Sequence, residues 1–433
     1  MTLSLLESIA TPQYLRKSWD KLNKSNKGSH GLSYETIEEF QNSLENQISE
    51  ISKQLLSNNY KFNPVRAVLI PKKTSGEFRP LRVGDVRDRL VQKALSNKLE
   101  ELLSKKYSLD NPCSYAYQKD RGIEQAISKC VEHFKKGNRI ILEADIKKFF
   151  DNVNRTKLLN KVFNDLPDSS INSLIEDALT QSVGNLEDYS HEFHHYFIDS
   201  IDGIPQGNSL SPLLANIYLS DFDQRMIKER FSLVRYADDF IVLCQNNKEA
   251  KRALQVAKEE LETKLGLQLH DLPEPPHLKG SKTRIVDPHI HEFSFLSIRF
   301  DGTKVWVNEK KVKDLMEKIK LVTDIDKYKG DKEFKGLITI IARLKNLLEG
   351  WLASYKFVDV DREFSEIDNY INYKLSQVFI KLQYKLKSTS LDSIKLKGKP
   401  IHVQAFKQRQ RINSGVPYCH SFIESLKRNK IVV

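Results

Sequence analysis

The stretch SLVRYADDFIVLC (232–244) decides the fold, because it places two adjacent acids between two apolar arms. Such a pattern predicts a β-hairpin with Asp238 and Asp239 at its bend. Most Asp-Asp pairs lie in exposed turns, so the pair alone is weak evidence. Inside an apolar hairpin, however, two like charges are costly to bury unless a cation neutralises them. The stretch therefore predicts a cation-binding edge on a buried sheet.

A third acid lies upstream, where another buried strand ends. NRIILEADI (138–146) is a short apolar run that reaches Asp145. In-line attack of a 3′ hydroxyl on phosphorus uses two metal ions to stabilise the attacking and leaving oxygens. Magnesium is a hard cation that prefers carboxylate oxygens. Asp145, Asp238 and Asp239 therefore predict a nucleotidyl-transfer site with two Mg²⁺ ions, for which Mn²⁺ is a possible substitute.

The composition is that of a folded protein, with 39% hydrophobic residues and no apolar run of about 18 residues. The start of the chain lacks the pattern of a secretory signal, and the four scattered cysteines form no CxxC pair. These features predict a cytoplasmic protein without a disulfide framework or a zinc site. The net charge is +12, and residues 371–433 hold 13 Lys or Arg against two acids. A basic tail of this kind predicts contact with a nucleic acid.

Periodicity divides the rest of the chain into helices and strands. Residues 1–60 are predicted to be helical, and a strand pair around a turn at 74–76 is predicted within residues 66–83. Single helices are predicted at about 86–105, 212–228 and 248–265, and a hairpin is predicted within the polar stretch 183–203. Strands are predicted near 283–287 and 292–300. Two apolar helical stripes follow, at 337–351 and 364–382.

Several sequence motifs, in order, resemble those of reverse transcriptases. Tyr236-Ala237-Asp238-Asp239 resembles the YxDD signature, and DIKKFFDNV from Asp145 resembles the first catalytic motif. The other matching stretches are LIPKKTSGEFRPLRV in the fingers, GIPQGNSLSPLLANIYL from Gly203, SKTRIV with FSFLSIRF in the palm, and LKNLLEGWLASY (344–355) in the thumb, or maturase, segment. Over residues 15–385 the chain is similar to the group II intron-like branch of bacterial reverse transcriptases.

The resemblance implies an α+β, right-hand polymerase fold. It predicts fingers, a palm with a split βαβ sheet, an α-helical thumb and a basic C-terminal extension. The predicted divisions are 1–135 for the N-terminal extension and fingers, 136–302 for the palm, 303–388 for the thumb and 389–433 for the extension.

The resemblance also assigns roles to single residues. Asp145 and Asp238 would bind the metals with support from Asp239, and the carbonyl of Ile146 would be a further ligand. Phe150 would exclude a ribose 2′-OH, and Tyr236 would lie near the primer end. The remaining residues implied for the nucleotide pocket are Lys72 and Arg79 at the triphosphate, Gln206 and Gly207 along the pocket, and Lys282 as the proton donor to pyrophosphate.

The basic tail has two alternative roles. Its lysines and arginines would contact RNA, or the tail would fold onto the thumb. The predicted nucleic-acid contacts are Lys395, Lys397, Lys399, Lys407, Arg409 and Arg411. A separate cluster, His191, His194 and His195, is predicted to be surface histidine rather than a metal site.

Departures from the family pattern bear on the biological role. Intron-encoded members often show SYGFR, where this chain has SYAYQ at 114–118, and the family's FLG turn is here Phe295-Leu296-Ser297. No cysteine pairs or His-Asn-His pattern of an endonuclease are present. The interpretation favoured is a defence-associated reverse transcriptase that copies a partner noncoding RNA into cDNA during protection against phage. The alternatives are an intron maturase, an RNA-binding protein that keeps the polymerase motifs as scaffold, and an RNA-templated RNA polymerase, against which Phe150 speaks.

Overall fold

The protein is described from a computed structural model that places residues 3–72, 76–198, 202–328, 330–360, 362–383, 391–396, 399–404 and 408–429. The chain forms two compact units, Met1–Val286 and Asp287–Val433. Among the described helices, none is both long enough and apolar enough to cross a membrane.

Four helices open the first unit: α1 (Leu5–Ala10), α2 (Pro12–Asp20), α3 (Ile37–Asn42) and α4 (Leu44–Leu56). Ser4 and Thr36 each form a capping box with the glutamate three residues later, so the free N–H groups of α1 and α3 have acceptors. The helical prediction for this region is confirmed except at residues 21–36, which are not helical, and α4 buries its apolar stripe in the core.

The fingertip hairpin consists of β1 (Arg66–Pro71) and β2 (Phe78–Val83), paired antiparallel from Arg66–Val83 to Pro71–Phe78. Its predicted turn falls largely on residues 73–75, which lie outside the described residues. Helices α5 (Val86–Leu103) and α6 (Ile123–Lys135) follow. The first was predicted almost to its ends, because its apolar positions recur at helical spacing.

The palm sheet holds four antiparallel strands in the order β4-β5-β3-β6. Its strands are β3 (Ile140–Ala144), β4 (Ser232–Tyr236), β5 (Asp239–Cys244) and β6 (Arg284–Val286). Between β3 and β4 lie α7 (Phe149–Asn152), α8 (Arg155–Phe163), α9 (Asn172–Leu179), α10 (His191–His194), α11 (Ser211–Tyr218) and α12 (Ser220–Lys228), and between β5 and β6 lies α13 (Asn247–Lys258). This order, with helical crossovers at both places, is the split βαβ arrangement that was predicted.

One local prediction was wrong and two were incomplete. Residues 183–198 form helical turns, at Leu186–Asp188, α10 and His195–Phe197, instead of a hairpin. Their aromatic side chains pack on β2, and so the two halves of the segment do not pair with each other. The predicted helix 212–228 is two helices that meet at Leu219, and the predicted helix 248–265 changes to a π-helix at Glu259–Lys264.

The second unit begins with a three-stranded antiparallel sheet of β7 (Phe293–Phe295), β8 (Ile298–Phe300) and β9 (Val305–Val307). The compact division therefore falls before this sheet, whereas the sequence suggested a boundary near 303. The strands pair with one another, so they form a sheet distinct from that of the palm. The finer division into thumb and extension stays a prediction.

Helices α14 (Glu309–Val322), α15 (Leu337–Ser354) and α16 (Arg362–Lys381) follow, and the two predicted apolar stripes lie on α15 and α16. The C-terminal segment adds β10 (Leu391–Leu396), β11 (Lys399–Gln404), α17 (Gln408–Asn413) and α18 (Cys419–Asn429). Val416, Cys419 and Ile423 are buried, and α18 packs on α15 and α16. The helices of the tail thus fold onto the preceding helices, which was the alternative to a free basic tail.

Candidate active site

The pairing of the palm strands brings the three predicted acids to one edge of the sheet. Ala144 of β3 pairs with Phe240 of β5, so Asp145 is the residue opposite Asp239. Asp238 lies in the two-residue turn between Tyr236 and Asp239, which pair with each other. The turn requires a positive φ of 59° at Ala237. The two acids of the hairpin and Asp145, which follows β3, therefore lie at the same edge of the sheet.

The acids influence one another electrostatically. Desolvation raises the pKa of Asp238, and the negative charge of Asp145 adds to this effect. Desolvation, followed by the charges of Asp238 and Asp145, raises the pKa of Asp239 to about 7. Like charges at short range disfavour ionisation, so this edge favours the arrival of positive charge.

Lys282 supplies positive charge at this edge. Its ammonium donates a hydrogen bond to Asp145 Oδ2 at 2.7 Å, and this bond raises the pKa of Lys282. Within the described part of the chain, no three acidic, histidine or cysteine side chains stand close enough together to enclose a metal ion. The hard carboxylate donors and their mutual repulsion nevertheless fit a divalent cation such as Mg²⁺. Asp145, Asp238 and Asp239 are the side chains that would hold it.

The backbone next to Asp145 is oriented by a bridge between Ile146 and Leu269. Lys147 N–H donates to the carbonyl of Gln268 at 2.8 Å, and His270 N–H donates to the carbonyl of Asp145 at 3.2 Å. Because the residues on either side make these bonds, the carbonyl of Ile146 points away from Leu269. That orientation is compatible with the predicted ligand role of this carbonyl.

Phe150 is half-buried beside the first catalytic loop, with its ring 5.3 Å from that of Phe149. Its carbonyl accepts a hydrogen bond of 2.8 Å from Ile204 N–H. Gly203 adopts a φ of +90°, and a Cβ there would lie 3.0 Å from the carbonyl oxygens of Phe150 and Asp151. The glycine therefore permits the loop after Asp145, the first catalytic loop, to touch the loop that contains Pro205-Gln206-Gly207, here named the PQG loop.

The PQG loop is also tied to the fingertip hairpin. Arg82 N–H donates to the carbonyl of Gln206 at 2.8 Å, and a Cβ at Gly207 would lie 2.8 Å from the carbonyl oxygen of Arg82. Gln206 is half-buried and Gly207 is exposed. The structure thus joins the two predicted pocket residues to β2, which carries Arg79.

The two predicted triphosphate-binding cations lie on the fingertip hairpin. Lys72 Nζ is 3.2 Å from Glu77 Oε2, and Arg79 is exposed on β2. Surface pairs of this kind contribute little to stability, so Lys72 remains available to an anionic ligand. Tyr236, the predicted primer contact, is half-buried at the end of β4. These three roles, with those of the other pocket residues, stay predictions.

A segment that sequence reasoning missed holds the fingertip hairpin. Residues 183–197, here named the clasp, accept a hydrogen bond from Ala67 N–H at Asn185 Oδ1 (2.7 Å) and donate one from Tyr189 Oη to the carbonyl of Ala67 (3.1 Å). The ring of Phe78 contacts Phe193 edge-on at 5.3 Å. The density of aromatic residues in this polar stretch was the available signal. The clasp fixes the strands that carry Lys72 and Arg79.

Arg235 is a second residue whose role the sequence analysis missed. It is 1% exposed and forms a bidentate pair with Asp223, with Nε donating to Oδ1 at 2.7 Å and Nη2 to Oδ2 at 2.5 Å. Its other hydrogen bonds reach Asn216 Oδ1 at 3.1 Å, the carbonyl of Ala237 at 2.9 Å and Ser114 Oγ at 3.0 Å. A charged residue at an inward position of an apolar strand was the signal. Arg235 supports the acidic turn through its hydrogen bond to the carbonyl of Ala237.

The structure corrects one predicted contact of the basic tail. Arg411 is fully buried, and its Nη2 donates to Asp368 Oδ1 at 2.8 Å and to the carbonyl of Pro417 at 2.7 Å. A guanidinium that is enclosed in this way does not reach a nucleic acid, so the interface role of Arg411 was wrong. The residue instead attaches the C-terminal segment to α16.

The other predicted tail contacts differ in what the structure says of them. Arg409 is exposed on α17. Lys395 and Lys399 lie on β10 and β11, and their side chains lie outside the described part, as do Lys397 and Lys407 altogether. Their contact with nucleic acid stays a prediction.

The three histidines of the clasp make local contacts. His194 Nε2 lies 3.0 Å from the carbonyl of Tyr189, and His195 Nδ1 lies 2.6 Å from that of Glu192. These contacts are those of partly exposed histidines on short helical turns, in line with the predicted surface role. All four cysteines are buried free thiols, as the prediction of no disulfide framework required.

Two parts of this chain resemble known protein families. Residues 70–271 match the reverse transcriptase (RNA-dependent DNA polymerase) family, and residues 312–395 match the maturase-specific domain of group II introns. Protein YkfC of Escherichia coli is 26% identical over 68% of this chain and 82% of its own length. The group II intron-encoded protein LtrA of Lactococcus lactis is 31% identical over 50% of this chain and 34% of its own.

An uncharacterised 91 kDa protein in the cob intron of Schizosaccharomyces pombe is 34% identical over 48% of this chain and 24% of its own length. The chain thus spans about a third or less of the length of these two intron-encoded relatives.

Among solved structures, a partial Cas6-RT-Cas1–Cas2 complex matches at 26% identity and a TM-score of 0.33, covering 60% of this chain and 42% of that one. Telomerase from Candida albicans matches at 15% identity and a TM-score of 0.40, covering 79% and 65%. TM-scores of this size do not establish a shared fold. Residues 70–271 of this chain are thus similar to reverse transcriptases and residues 312–395 to the group II intron maturase-specific domain, and the first match includes the three acids at one edge of the split βαβ palm.

Proposed function

We propose that this protein is an RNA-directed DNA polymerase that makes cDNA by two-metal nucleotidyl transfer. The observation that carries the proposal is the strand register, which sets Asp145 opposite Asp239 with Asp238 in the adjoining turn. The match of residues 70–271 to the RNA-dependent DNA polymerase family supports the same chemistry.

Each element of the site would have a defined task. Asp145, Asp238 and Asp239 would hold divalent cations, which when bound stabilise the negative charge that develops on the reacting oxygens. The carbonyl of Ile146 would add a ligand. Lys282 would keep a proton close to Asp145, where pyrophosphate leaves.

The nucleotide would bind between the acidic edge and the fingertip hairpin. Lys72 and Arg79 would bind the triphosphate, because a guanidinium and an ammonium both suit phosphate oxygens. Phe150 would pack against the sugar and exclude a 2′-OH. Gln206 and Gly207 would line the pocket, and Tyr236 would contact the primer end.

Primer extension tests this proposal. Purified protein receives an RNA template, a DNA primer, deoxynucleotides and Mg²⁺, and the length of the DNA product is measured. Wild-type protein is expected to extend the primer, while a variant with both Asp238→Ala and Asp239→Ala is not. Equal extension by the double variant would overturn the assignment.

The template would be a structured noncoding RNA, and the setting we favour is defence against phage in the cytoplasm. Two features support a structured RNA partner: the maturase-specific match at residues 312–395 and the exposed Arg409 in the basic tail. Plating efficiency of phage on cells that carry the natural locus, with wild-type or Asp238→Ala protein, tests the defence role. Equal protection by both would exclude a role for DNA synthesis.

A group II intron-type maturase is the second candidate, and the match of residues 312–395 to the maturase-specific domain favours it. A maturase binds intron RNA and assists its splicing, with or without polymerisation. Splicing of a linked intron that depends on the protein, and that persists in the Asp238→Ala variant, would support this candidate. No effect of the protein on splicing would exclude it.

A further inference from the structure

Tyr117 is an exposed aromatic residue on a loop that the roles above leave unused. It lies within SYAYQ (114–118), one of the two places where this chain departs from the pattern of intron-encoded relatives. Its side chain is 52% exposed, and its backbone adopts a left-handed φ of 61°. A non-glycine residue in this conformation is strained, so the surroundings must impose it.

The surroundings of Tyr117 form a rigid loop that is bonded to β4. Tyr115 N–H donates to the carbonyl of Arg235 at 2.9 Å, and Arg235 N–H donates to that of Cys113 at 2.8 Å. Arg121 Nη1 donates to the carbonyl of Ser114 at 2.9 Å. The loop therefore moves as one body with the strand that leads into the acidic turn.

The same hydrogen-bond network fixes Tyr117 beside that turn. Asn216 Nδ2 donates to the carbonyl of Ala116 at 3.1 Å, and Asn216 Oδ1 accepts from Arg235 Nη1 at 3.1 Å. Arg235 Nη1 also donates to the carbonyl of Ala237 at 2.9 Å. Thus one chain of contacts joins the residue before Tyr117 to the residue before Asp238. The parallel bridge between Ser114 and Arg235 gives the same alignment.

The charges around the phenol agree with this placement. Partial desolvation raises the pKa of Tyr117, the negative charges of Asp238 and Tyr236 raise it further, and Arg79 opposes them. Those three neighbours are the residues proposed above for the metal, the primer and the triphosphate. The hydrogen-bond network places Tyr117 beside the acidic turn, and Arg79 of the fingertip hairpin is among the charges that act on its phenol.

We propose that Tyr117 is a specificity-determining residue of the polymerase pocket, whose ring packs against the base pair formed by the template and the incoming deoxynucleotide. A ring that is held rigidly and half-exposed loses little conformational freedom when a base packs on it. Packing of a base on an aromatic side chain is tolerant of sequence, because every base has a π-face. The inference rests on the proposed polymerase function.

Single-nucleotide incorporation on an RNA template tests the proposal. Tyr117→Ala is expected to raise the KM for the deoxynucleotide roughly tenfold, in keeping with the loss of one stacking contact, while kcat stays nearly unchanged. Mismatched nucleotides should be incorporated more often relative to matched ones. Tyr117→Phe keeps the ring and should behave as wild type.

Tyr34→Ala is the matched control, because Tyr34 is also exposed and has the same φ of 61°. It is expected to leave the KM for the deoxynucleotide unchanged. An unchanged KM and fidelity in Tyr117→Ala, an equal effect of Tyr34→Ala, or a defect in Tyr117→Phe as large as that in Tyr117→Ala would each overturn the proposal. Wild-type protein that incorporates nothing would instead overturn the polymerase function itself.

Discussion

Strand β4 and the turn that follows it handle charge in opposite ways. Arg235, inside the sheet, is enclosed with Asp223, and its hydrogen bonds all end within the protein. In the turn that follows, Asp238 and Asp239 stand beside Asp145. Desolvation and the charge of Asp145 raise the pKa of Asp238, and desolvation and the charges of Asp238 and Asp145 raise the pKa of Asp239. A buried ion pair that is complete needs no ligand, whereas a group of like charges favours a cation from outside. The Arg235–Asp223 pair supports the candidate active site, whereas the three acids form it.

The largest effect is expected when an acid of the turn after β4 is removed. Asp238→Ala should lower the rate of DNA synthesis on the order of a thousandfold, since a metal ligand contributes several kcal/mol to the reaction. The melting temperature should not fall, because the fold disfavours the charge of Asp238, as its raised pKa indicates. Asp177→Ala, at an exposed position of α9, is the control and should retain full activity. A variant at Asp238 that melts earlier would assign this acid a structural task.

The next largest effect is expected when the buried pair of Arg235 and Asp223 is disrupted. Arg235→Met should lower the free energy of unfolding by about 3–5 kcal/mol, because it leaves Asp223 charged and buried without its partner. Urea denaturation measures this change. The double variant with Asp223→Leu should be more stable than Arg235→Met, since no buried charge remains. If the double variant loses the sum of the two single losses, the pair is not the reason for the instability.

A third prediction compares two fully buried arginines, Arg235 and Arg411. Arg411 pairs with Asp368 through one oxygen, and Asp368 Oδ2 and Arg411 Nε have no hydrogen-bond partner in the described structure. Arg411→Met should therefore cost less than Arg235→Met, about 2 kcal/mol in urea denaturation. Its affinity for RNA should be unchanged.

Arg409 provides the control for that prediction, because it lies two residues away and is exposed. Arg409→Ala should leave stability unchanged and weaken RNA binding, an effect that decreases as salt is raised. A loss of RNA affinity in folded Arg411→Met protein would instead support a contact between Arg411 and nucleic acid.

The smallest effect concerns the preference for deoxynucleotides over ribonucleotides at the candidate active site. Phe150→Ala should admit ribonucleotides, with the preference for deoxynucleotides reduced roughly tenfold, because a steric clash of modest size is removed. Competition between deoxynucleotides and ribonucleotides in primer extension measures it. Phe149→Leu changes the neighbouring buried ring and should leave the preference intact. Unaltered sugar preference in Phe150→Ala would remove the gate assignment.

Local patterns predicted the parts of the site that local patterns control. The acidic hairpin and the strand before Asp145 follow from runs of apolar residues that end in acids, and the strand order of the palm followed from the motif order. The clasp did not follow, because its partners Ala67 and Phe78 lie more than 100 residues away in sequence. Arg411 was mistaken for a surface charge for the same reason, since Asp368 lies 43 residues upstream. Distant polar contacts leave no period in the sequence.

The most direct test of the central claim is a Mg²⁺ titration of single-nucleotide incorporation on an RNA template, with wild-type protein and Asp145→Asn. Asp145 faces Asp239 across the strand pair, and its replacement by an amide keeps shape while removing charge. The account predicts that incorporation by wild-type protein rises with Mg²⁺ and stops with a chelator, and that Asp145→Asn fails at every Mg²⁺ concentration with an unchanged melting temperature. Incorporation by Asp145→Asn at the wild-type rate would contradict it.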